Sequence, residues 1–164
     1  MLVLAGNLDE EATASLVGAL IELDRIDPTE PIDLIISTYG GSVDEMFAIY
    51  DVMRLIRCPL RTVGIGKIMS AGVLLLAAGT RGLRFLGTHA RLMIHPMFTS
   101  VSGNVFQQSN EIEEVRRVQE QIESCLVNET NLTRKKLESM MRKGSDQYVS
   151  SQDAIKHGIV DHLF

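Results

Sequence analysis

Apolar strand-like segments alternate along this chain with amphipathic helix patterns, and this alternation constrains the fold more than any other feature. Residues 32–37 contain a continuous apolar run, which is typical of a strand buried on both faces of a sheet. A helix pattern follows, and residues 60–65 then form a second strand-like segment. Buried strands that alternate with helices favour an α/β fold.

Further helices and strands are predicted on both sides of these segments. A short strand over residues 2–4 should end at Gly6 and Asn7, and a helix pattern follows it. Another helix should begin at Ser42, because Glu45 three residues later completes a capping box. The remaining helices are predicted over residues 71–78, 105–129, 133–143 and 151–157. The remaining strands are predicted over residues 84–86, 91–94 and 159–161.

The composition limits the class of protein. The chain has 164 residues, 45% of them hydrophobic, which suits one globular domain with a substantial core. Its formal net charge of −5 argues against nucleic acid as the main partner, because phosphate binding requires clustered Lys and Arg. The apolar run over residues 73–78 is too short to cross a membrane. Cys58 and Cys125 belong to no metal-binding motif, so we expect a reduced, cytoplasmic setting.

Ser70 lies between a strand-like and a helix-like segment, within Gly66-Lys67-Ile68-Met69-Ser70-Ala71-Gly72. At a sharp strand-to-helix turn a side chain is exposed, and the N–H groups at the helix start are unpaired. Acyl-transfer enzymes need this combination of a nucleophile and donors for a developing oxyanion. The ordinary alternative is a serine that caps the helix, and the residue pattern taken alone favours that interpretation.

Three other segments contain candidate catalytic groups. His95 ends the apolar run Arg91-Leu92-Met93-Ile94-His95, and Asp146 precedes another short apolar run within residues 144–150. Upstream, a strand breaks into Gly40-Gly41-Ser42, where glycine would let a backbone N–H approach a substrate closely. Their ordinary interpretations are a structural histidine, a loop aspartate and a tight turn.

Together, these four segments resemble the ClpP family, the serine peptidase subunits of the ATP-dependent Clp proteases. The resemblance covers residues 2–164 and rests on the order and spacing of the motifs. Family sequences carry glycine four residues before and two residues after the serine, as Gly66 and Gly72 do here. The resemblance implies a spiral of ββα units shared with crotonases. It also implies a single domain over residues 1–164, with a long handle helix at about residues 105–129.

The resemblance assigns a role to each candidate residue. It implies a catalytic triad in which Ser70 is the nucleophile, His95 is the general base and Asp146 orients His95. It implies an oxyanion hole formed by the backbone N–H groups of Gly41 and Ala71. No cofactor and no metal are expected.

The resemblance also implies a function and partners. The chain would hydrolyse peptide bonds of unfolded proteins and short peptides inside a chamber of heptameric rings, with two rings stacked through the handle helix. A separate Clp-type ATPase would unfold the substrates, because Gly64-Ile65-Gly66-Lys67 lacks the spacing of a phosphate-binding loop. Neither nucleic acid nor a membrane is an expected partner. Family members carry a pore-lining segment before the first strand. This chain starts on that strand, so we expect weaker contact with the ATPase.

Some positions depart from the family pattern. Ile68 and Met69 replace residues that are usually small, so the adjacent substrate pocket should have a different shape. Pro96 follows His95 directly, where the family has an intervening residue, so the path of the chain should differ there. Ser145 replaces a charged residue that forms ion pairs between rings, so the contact between two rings should be weaker.

Alternatives remain for two residues and for the function. Asp153 and Asp161 compete with Asp146 for the third position of the triad. Lys67 could form a Ser–Lys dyad with Ser70. The functional rivals are a non-catalytic ring subunit and an acyl-CoA enzyme of the crotonase type.

Overall fold

The computed structural model describes residues 1–141 and 144–164, which form seven strands and six helices. The strands are β1 (Leu2–Leu8), β2 (Ile32–Gly41), β3 (Leu60–Met69), β4 (Arg84–Leu86), β5 (Arg91–Ile94), β6 (Gln147–Val149) and β7 (His162–Leu163). The helices are α1 (Glu10–Ile26), α2 (Val43–Leu55), α3 (Ala71–Ala77), α4 (Val105–Glu129), α5 (Arg134–Met141) and α6 (Ser151–Lys156). The predicted α/β class is confirmed.

All seven strands belong to one sheet. Strands β1, β2, β3, β4 and β7 lie side by side in this order, and every pairing among them is parallel. The first part of β3 pairs with β4, and its last part pairs in parallel with β5. Strand β6 is the antiparallel partner of β5. Helix α3 packs against β2 and β3, α1 packs against α2, and α4 contacts α3 and α5.

Strand β3 is longer than predicted because it continues through a bulge that contains Gly66. The prediction ends this strand at Ile65, whereas the strand continues to Met69. Ile36 of β2 pairs with Gly64, and Thr38 pairs with Ile68, so β3 holds extra residues between these two pairs. The strand therefore delivers the chain directly to Ser70.

Strand β1 runs past Gly6, and β2 includes Gly40 and Gly41, the glycines at which these strands were predicted to end. The register between them shifts after Gly6, which pairs with Thr38, because Asn7 pairs with Gly40. A glycine with positive φ, such as Gly6 at 93°, fits a bulge as well as a turn, and the sequence does not distinguish the two.

The final strand also differs from its prediction over residues 159–161. Ile159 donates its N–H to the carbonyl of Ala154 and so extends the end of α6. The paired strand is β7, which starts at His162. Gly158 follows the helix with a left-handed φ of 64°, as expected for a helix C-terminus. The prediction of α5 reached Lys143, which lies outside the described residues; its described part ends at Met141.

Helices α3 and α4 differ in how far they are buried. Every residue of α3 is buried, so this short helix forms the centre of the core. Only the C-terminal part of α4 packs against the domain, whereas Val105 and Phe106 at its start are 78% and 83% exposed. Among the apolar side chains of α4, only Leu126 is therefore fully buried. No helix in the described ranges is long and apolar enough to span a membrane.

An ion pair between Arg84 and Asp161 joins β4 to the C-terminal segment. The guanidinium donates to both carboxylate oxygens, at 2.9 and 2.7 Å, and the Arg84 side chain is only 3% exposed. Arg84 also donates to the carbonyls of Ala77 and Glu129, which lie near the ends of α3 and α4. This one side chain therefore connects four parts of the core.

We expect Asp161→Ala to lower the free energy of unfolding by roughly 3–5 kcal/mol, because it leaves a buried guanidinium without its carboxylate. Urea unfolding followed by circular dichroism measures this loss. The matched control is Asp33→Ala, which breaks a 3.0 Å pair with Arg61 whose side chains are 42% and 39% exposed. Removing an exposed pair should cost less than about 1 kcal/mol, so similar losses in the two variants would contradict the prediction.

The Arg84–Asp161 pair also has a defined pH dependence. Burial acts to raise the pKa of Asp161, but hydrogen bonds from Arg84 and Gly82 together hold it below its ordinary value. A carboxyl whose pKa is lower in the folded state stabilises the fold at pH above its unfolded-state pKa. That contribution is lost as the pH falls through the folded-state value.

Candidate active site

Ser70 lies between β3 and α3 in a backbone conformation that residues other than glycine rarely adopt. Its φ is 53° and its ψ is −123°, and no other non-glycine residue within 1–141 and 144–164 has a positive φ. Such a conformation costs on the order of 1–3 kcal/mol, which the surrounding structure must supply. The N–H of Ser70 donates to the carbonyl of Met93 in β5 at 2.9 Å. The sharp strand-to-helix turn predicted around Ser70 is present.

Ser70 occupies the N-cap position of α3 without capping the helix. Its hydroxyl makes no hydrogen bond to the first turn of α3. Ser42 and Ser150, at the starts of α2 and α6, do accept such a bond from a helix N–H. The capping interpretation therefore describes Ser42 and Ser150 and does not account for Ser70.

A cavity of about 270 Å³ lies at the N-terminus of α3. Four of the five predicted site residues border it: Ser70, His95, Gly41 and Ala71. The N–H of Ala71 has no partner within its helix, because this residue opens α3. The rest of the lining is mostly apolar and comes from α2, α3, α4, α5, β5 and the segment after β5: Met46, Val73, Leu74, Ile94, Met97, Ile122, Leu126 and Met141.

Asp146 does not border this cavity; it directly precedes β6, and His95 directly follows β5. Strands β5 and β6 are antiparallel, and Ile94 pairs with Gln147. His95 and Asp146 therefore lie just beyond the last pair of this ladder. Across the part of the chain that the structure describes, no hydrogen bond joins the two side chains, and Asp146 is exposed.

The two competing aspartates have other partners. Asp153 accepts a hydrogen bond from Ser150 at 2.8 Å and donates its own N–H to that hydroxyl, at the start of α6. Asp161 pairs with Arg84, as described above. Lys67, the candidate for a dyad with Ser70, places its ammonium 4.9 Å from the centre of the Tyr39 ring. None of these three charged side chains borders the cavity.

Gly40 and Gly41 must both be glycine, because a side chain at either position would clash with a different neighbour. A Cβ on Gly41 would lie 2.3 Å from the carbonyl oxygen of Leu8, so packing against β1 alone demands glycine there. A Cβ on Gly40 would lie 2.8 Å from the Cβ of Ser70. Gly40 therefore has a direct steric relation to the candidate nucleophile, which the sequence did not suggest.

Thr38 is a second residue at the site that sequence analysis missed. It is fully buried, and its hydroxyl accepts the N–H of Gly40 at 2.9 Å and donates to the carbonyl of Gly6. A Cβ on Gly72 would lie 2.6 Å from its methyl group. Thr38 thus fixes the glycine turn relative to the start of α3. The sequence held no signal for this, because threonine is common in strands and its partners are distant in the chain.

The other candidate chemistries find no support in the described residues. Residues 1–141 and 144–164 contain no group of three or more His, Cys, Asp or Glu side chains arranged to hold a metal ion. Cys58 and Cys125 are both free, and burial raises the pKa of each thiol. A thiol with a raised pKa is a poor nucleophile.

Comparison with known proteins agrees with this geometry. The model of the Clp protease family matches residues 1–164 of the chain. The ATP-dependent Clp protease proteolytic subunit of Borreliella afzelii (strain PKo) is 31% identical over 163 residues, which cover 99% of this chain and 82% of that protein. The chain therefore belongs to the Clp protease family. The family resemblance that the four sequence motifs indicated is confirmed.

We expect Gly40→Ala to destabilise the protein more than Gly82→Ala does. Both glycines have positive φ, at 100° and 87°, so each substitution should cost about 1 kcal/mol in backbone strain. Only Gly40 faces a close neighbour, since nothing lies within 4 Å of a Cβ on Gly82. The clash with Ser70 should add about 1–3 kcal/mol. Urea unfolding of both variants measures the difference, and equal losses would show that Ser70 does not restrict this position.

Proposed function

We propose that this chain is a peptidase subunit that hydrolyses peptide bonds with Ser70 as its nucleophile. The proposal rests on the conformation and the surroundings of Ser70. Its hydroxyl is held at a strained turn, caps no helix and borders the same cavity as His95. A strained residue that the surrounding structure maintains is typical of catalytic positions. Membership of the Clp protease family supports the same assignment.

The proposed reaction follows the serine peptidase scheme. Ser70 Oγ attacks the carbonyl carbon of the scissile bond, and His95 takes the hydroxyl proton. The backbone N–H groups of Gly41 and Ala71 donate to the negative oxygen that forms. His95 then passes its proton to the leaving amine, and water hydrolyses the acyl-enzyme to release the acid and restore Ser70.

Asp146 is proposed to orient His95 within this scheme, which the register of β5 and β6 supports. In the described part of the chain, the Ser70, His95 and Asp146 side chains are not hydrogen-bonded to one another. Catalysis therefore requires a rearrangement that brings Ser70 to His95, and His95 to Asp146, within hydrogen-bond distance. Catalytic hydrogen bonds commonly tighten only when substrate is bound.

The subunit is proposed to act in the cytoplasm within a homo-oligomer of heptameric rings, with the active sites facing an enclosed chamber. Exposed apolar side chains on the first half of α4 support contact with another subunit: Val105, Phe106 and Ile112. Substrates would be short peptides and unfolded proteins, the latter supplied by a separate Clp-type ATPase. The related Borreliella afzelii protein is named as a subunit of an ATP-dependent protease.

We expect a fluorophosphonate probe to label the wild-type protein at Ser70 and to leave Ser70→Ala unlabelled. The same substitution should lower turnover of short fluorogenic peptides by at least about 10³-fold, because it removes the nucleophile. Peptide mass spectrometry identifies the labelled residue. The matched control is Ser15→Ala, which changes an exposed serine on α1 and should leave labelling and turnover unchanged.

The same experiment separates the rival functions. A correctly folded wild-type protein that resists the probe and cleaves no peptide would favour a non-catalytic ring subunit. Turnover of acyl-CoA thioesters without labelling of Ser70 would favour a crotonase-type enzyme. Labelling at a serine other than Ser70 would contradict the assignment of the nucleophile.

We expect peptides with an apolar residue before the scissile bond to be the preferred substrates. Among the described residues that line the cavity beside Ser70, none is Asp, Glu, Lys or Arg. A charged substrate side chain would therefore lose its hydration without gaining a partner. Fluorogenic peptides that differ only in Leu, Asp or Lys at this position should show kcat/KM at least about tenfold higher for Leu. Equal values would contradict this role of the cavity.

A further inference from the structure

A chain of hydrogen bonds connects the segment after His95 to α4 and α5. The N–H of Met97 donates to Gln119 Oε1 at 2.8 Å, and Gln119 Nε2 donates to Glu123 Oε1 at 2.9 Å. Arg134 at the start of α5 donates to the other oxygen of Glu123 at 3.5 Å. Glu123 is only 7% exposed, so its charge depends on these donors.

The bond between Met97 and Gln119 anchors a segment that has little other support. Residues 95–100 form neither helix nor strand. Pro96 has no N–H to donate. For residues 96–100, the bond from Met97 to Gln119 is the one hydrogen bond found within the described ranges. The backbone path next to His95 is therefore held mainly by this side chain.

Glu123 determines which way the amide of Gln119 points. An amide side chain has a donor end and an acceptor end, and only the acceptor end can receive the N–H of Met97. An ionised carboxylate accepts hydrogen bonds and cannot donate them, so Glu123 draws the NH₂ of Gln119 towards itself. The two residues are four apart on α4 and so lie on the same face of the helix. The carbonyl oxygen of Gln119 is thereby directed at Met97.

Gln119 also forms part of the wall between two cavities. Four residues border both the apolar cavity beside Ser70 and a neighbouring cavity of about 550 Å³: Pro96, Met97, Gln119 and Met141. The neighbouring cavity is lined by charged side chains, among them Arg116, Glu120 and Glu138. Releasing Met97 from Gln119 would open the apolar cavity towards this charged one.

We propose that Gln119 is a positioning residue of the active site and that Glu123 sets its orientation. Through Met97, the pair holds residues 95–97 so that His95 stays at the cavity that Ser70 borders and Met97 closes this cavity. This proposal rests on the proposed peptidase function for its effect on catalysis. Its structural part, the bond from Met97 to Gln119, can be tested without any activity.

The test exchanges the two side chains. Gln119→Glu is nearly isosteric but sets two carboxylates against each other, so the side chain should move away from Met97. Adding Glu123→Gln should restore both hydrogen bonds with the carboxylate and the amide exchanged. The carboxylate is then at position 119, where it accepts from the N–H of Met97 and from the amide at position 123. The control is Gln121→Glu, which makes the same chemical change at an exposed position of α4.

We expect Gln119→Glu to lower kcat for a fluorogenic peptide about tenfold, with a smaller change in KM, because the general base is misplaced. The double variant should recover to within about threefold of wild type, and Gln121→Glu should match wild type. Wild-type kcat in Gln119→Glu would overturn the proposal. So would a double variant that is no better than the single one, since loss without recovery indicates general damage to packing.

Hydrogen exchange at the Met97 amide provides the readout that does not depend on activity. Exchange should be slow in the wild type, at least about tenfold faster in Gln119→Glu, and slow again in the double variant. If the wild type cleaves no peptide while exchange follows this pattern, the proposed function is wrong and the anchoring role stands. If exchange at Met97 is equally fast in all variants, the anchoring role is wrong whatever the activity.

Discussion

The structure depends most on the packing that holds Ser70 in its strained conformation between β3 and α3. Helix α3 is buried along its whole length, so the residue before it cannot relax without disturbing the core. Gly40 lies against the Cβ of Ser70, and the N–H of Ser70 is tied to Met93 in β5. A conformation that costs on the order of 1–3 kcal/mol persists because several independent contacts oppose its release. The bulge in β3 leads directly to this residue, and Gly40 near the end of β2 packs against it.

The two sides of the candidate site differ in how firmly they are held. The Ser70 side consists of strand ends and a helix start inside the core, with Thr38 bonded to Gly40 and packed against Gly72. The side of His95 and Asp146 follows or precedes short strands, and within the described ranges β6 has three residues and pairs with β5 alone. His95 is followed by a segment without regular structure, and Asp146 is exposed. Elements with few buried contacts are the ones that move at low free-energy cost.

Sequence patterns predicted the bounds of helices and strands well where a long hydrophobic periodicity or a helix-capping residue was present. The bounds of α4, β4 and β5 agree with the structure, and Ser42 caps α2 as expected. The predicted ends of β1, β2 and β3 were wrong, because a glycine that permits a turn equally permits a bulge. The candidate site residues were predicted from four motifs in order, but Thr38 and Gln119 were not, since each contacts a residue distant in the sequence. Such contacts have no local pattern.

The proposed role of Asp146 in orienting His95 rests partly on the structural roles of Asp153 and Asp161, which compete with it for that role. Asp161 satisfies a buried guanidinium, and Asp153 stabilises the start of α6, so neither can leave its place without cost to the fold. Asp146 makes no side-chain hydrogen bond or ion pair within the described ranges, and it directly precedes β6, the partner of the strand that ends before His95. An exposed carboxylate without a structural partner can move at low free-energy cost, which is what the proposed role of Asp146 requires. Under the proposed function, a small displacement of β6 would bring Asp146 to His95 without disturbing the strained, buried turn at Ser70.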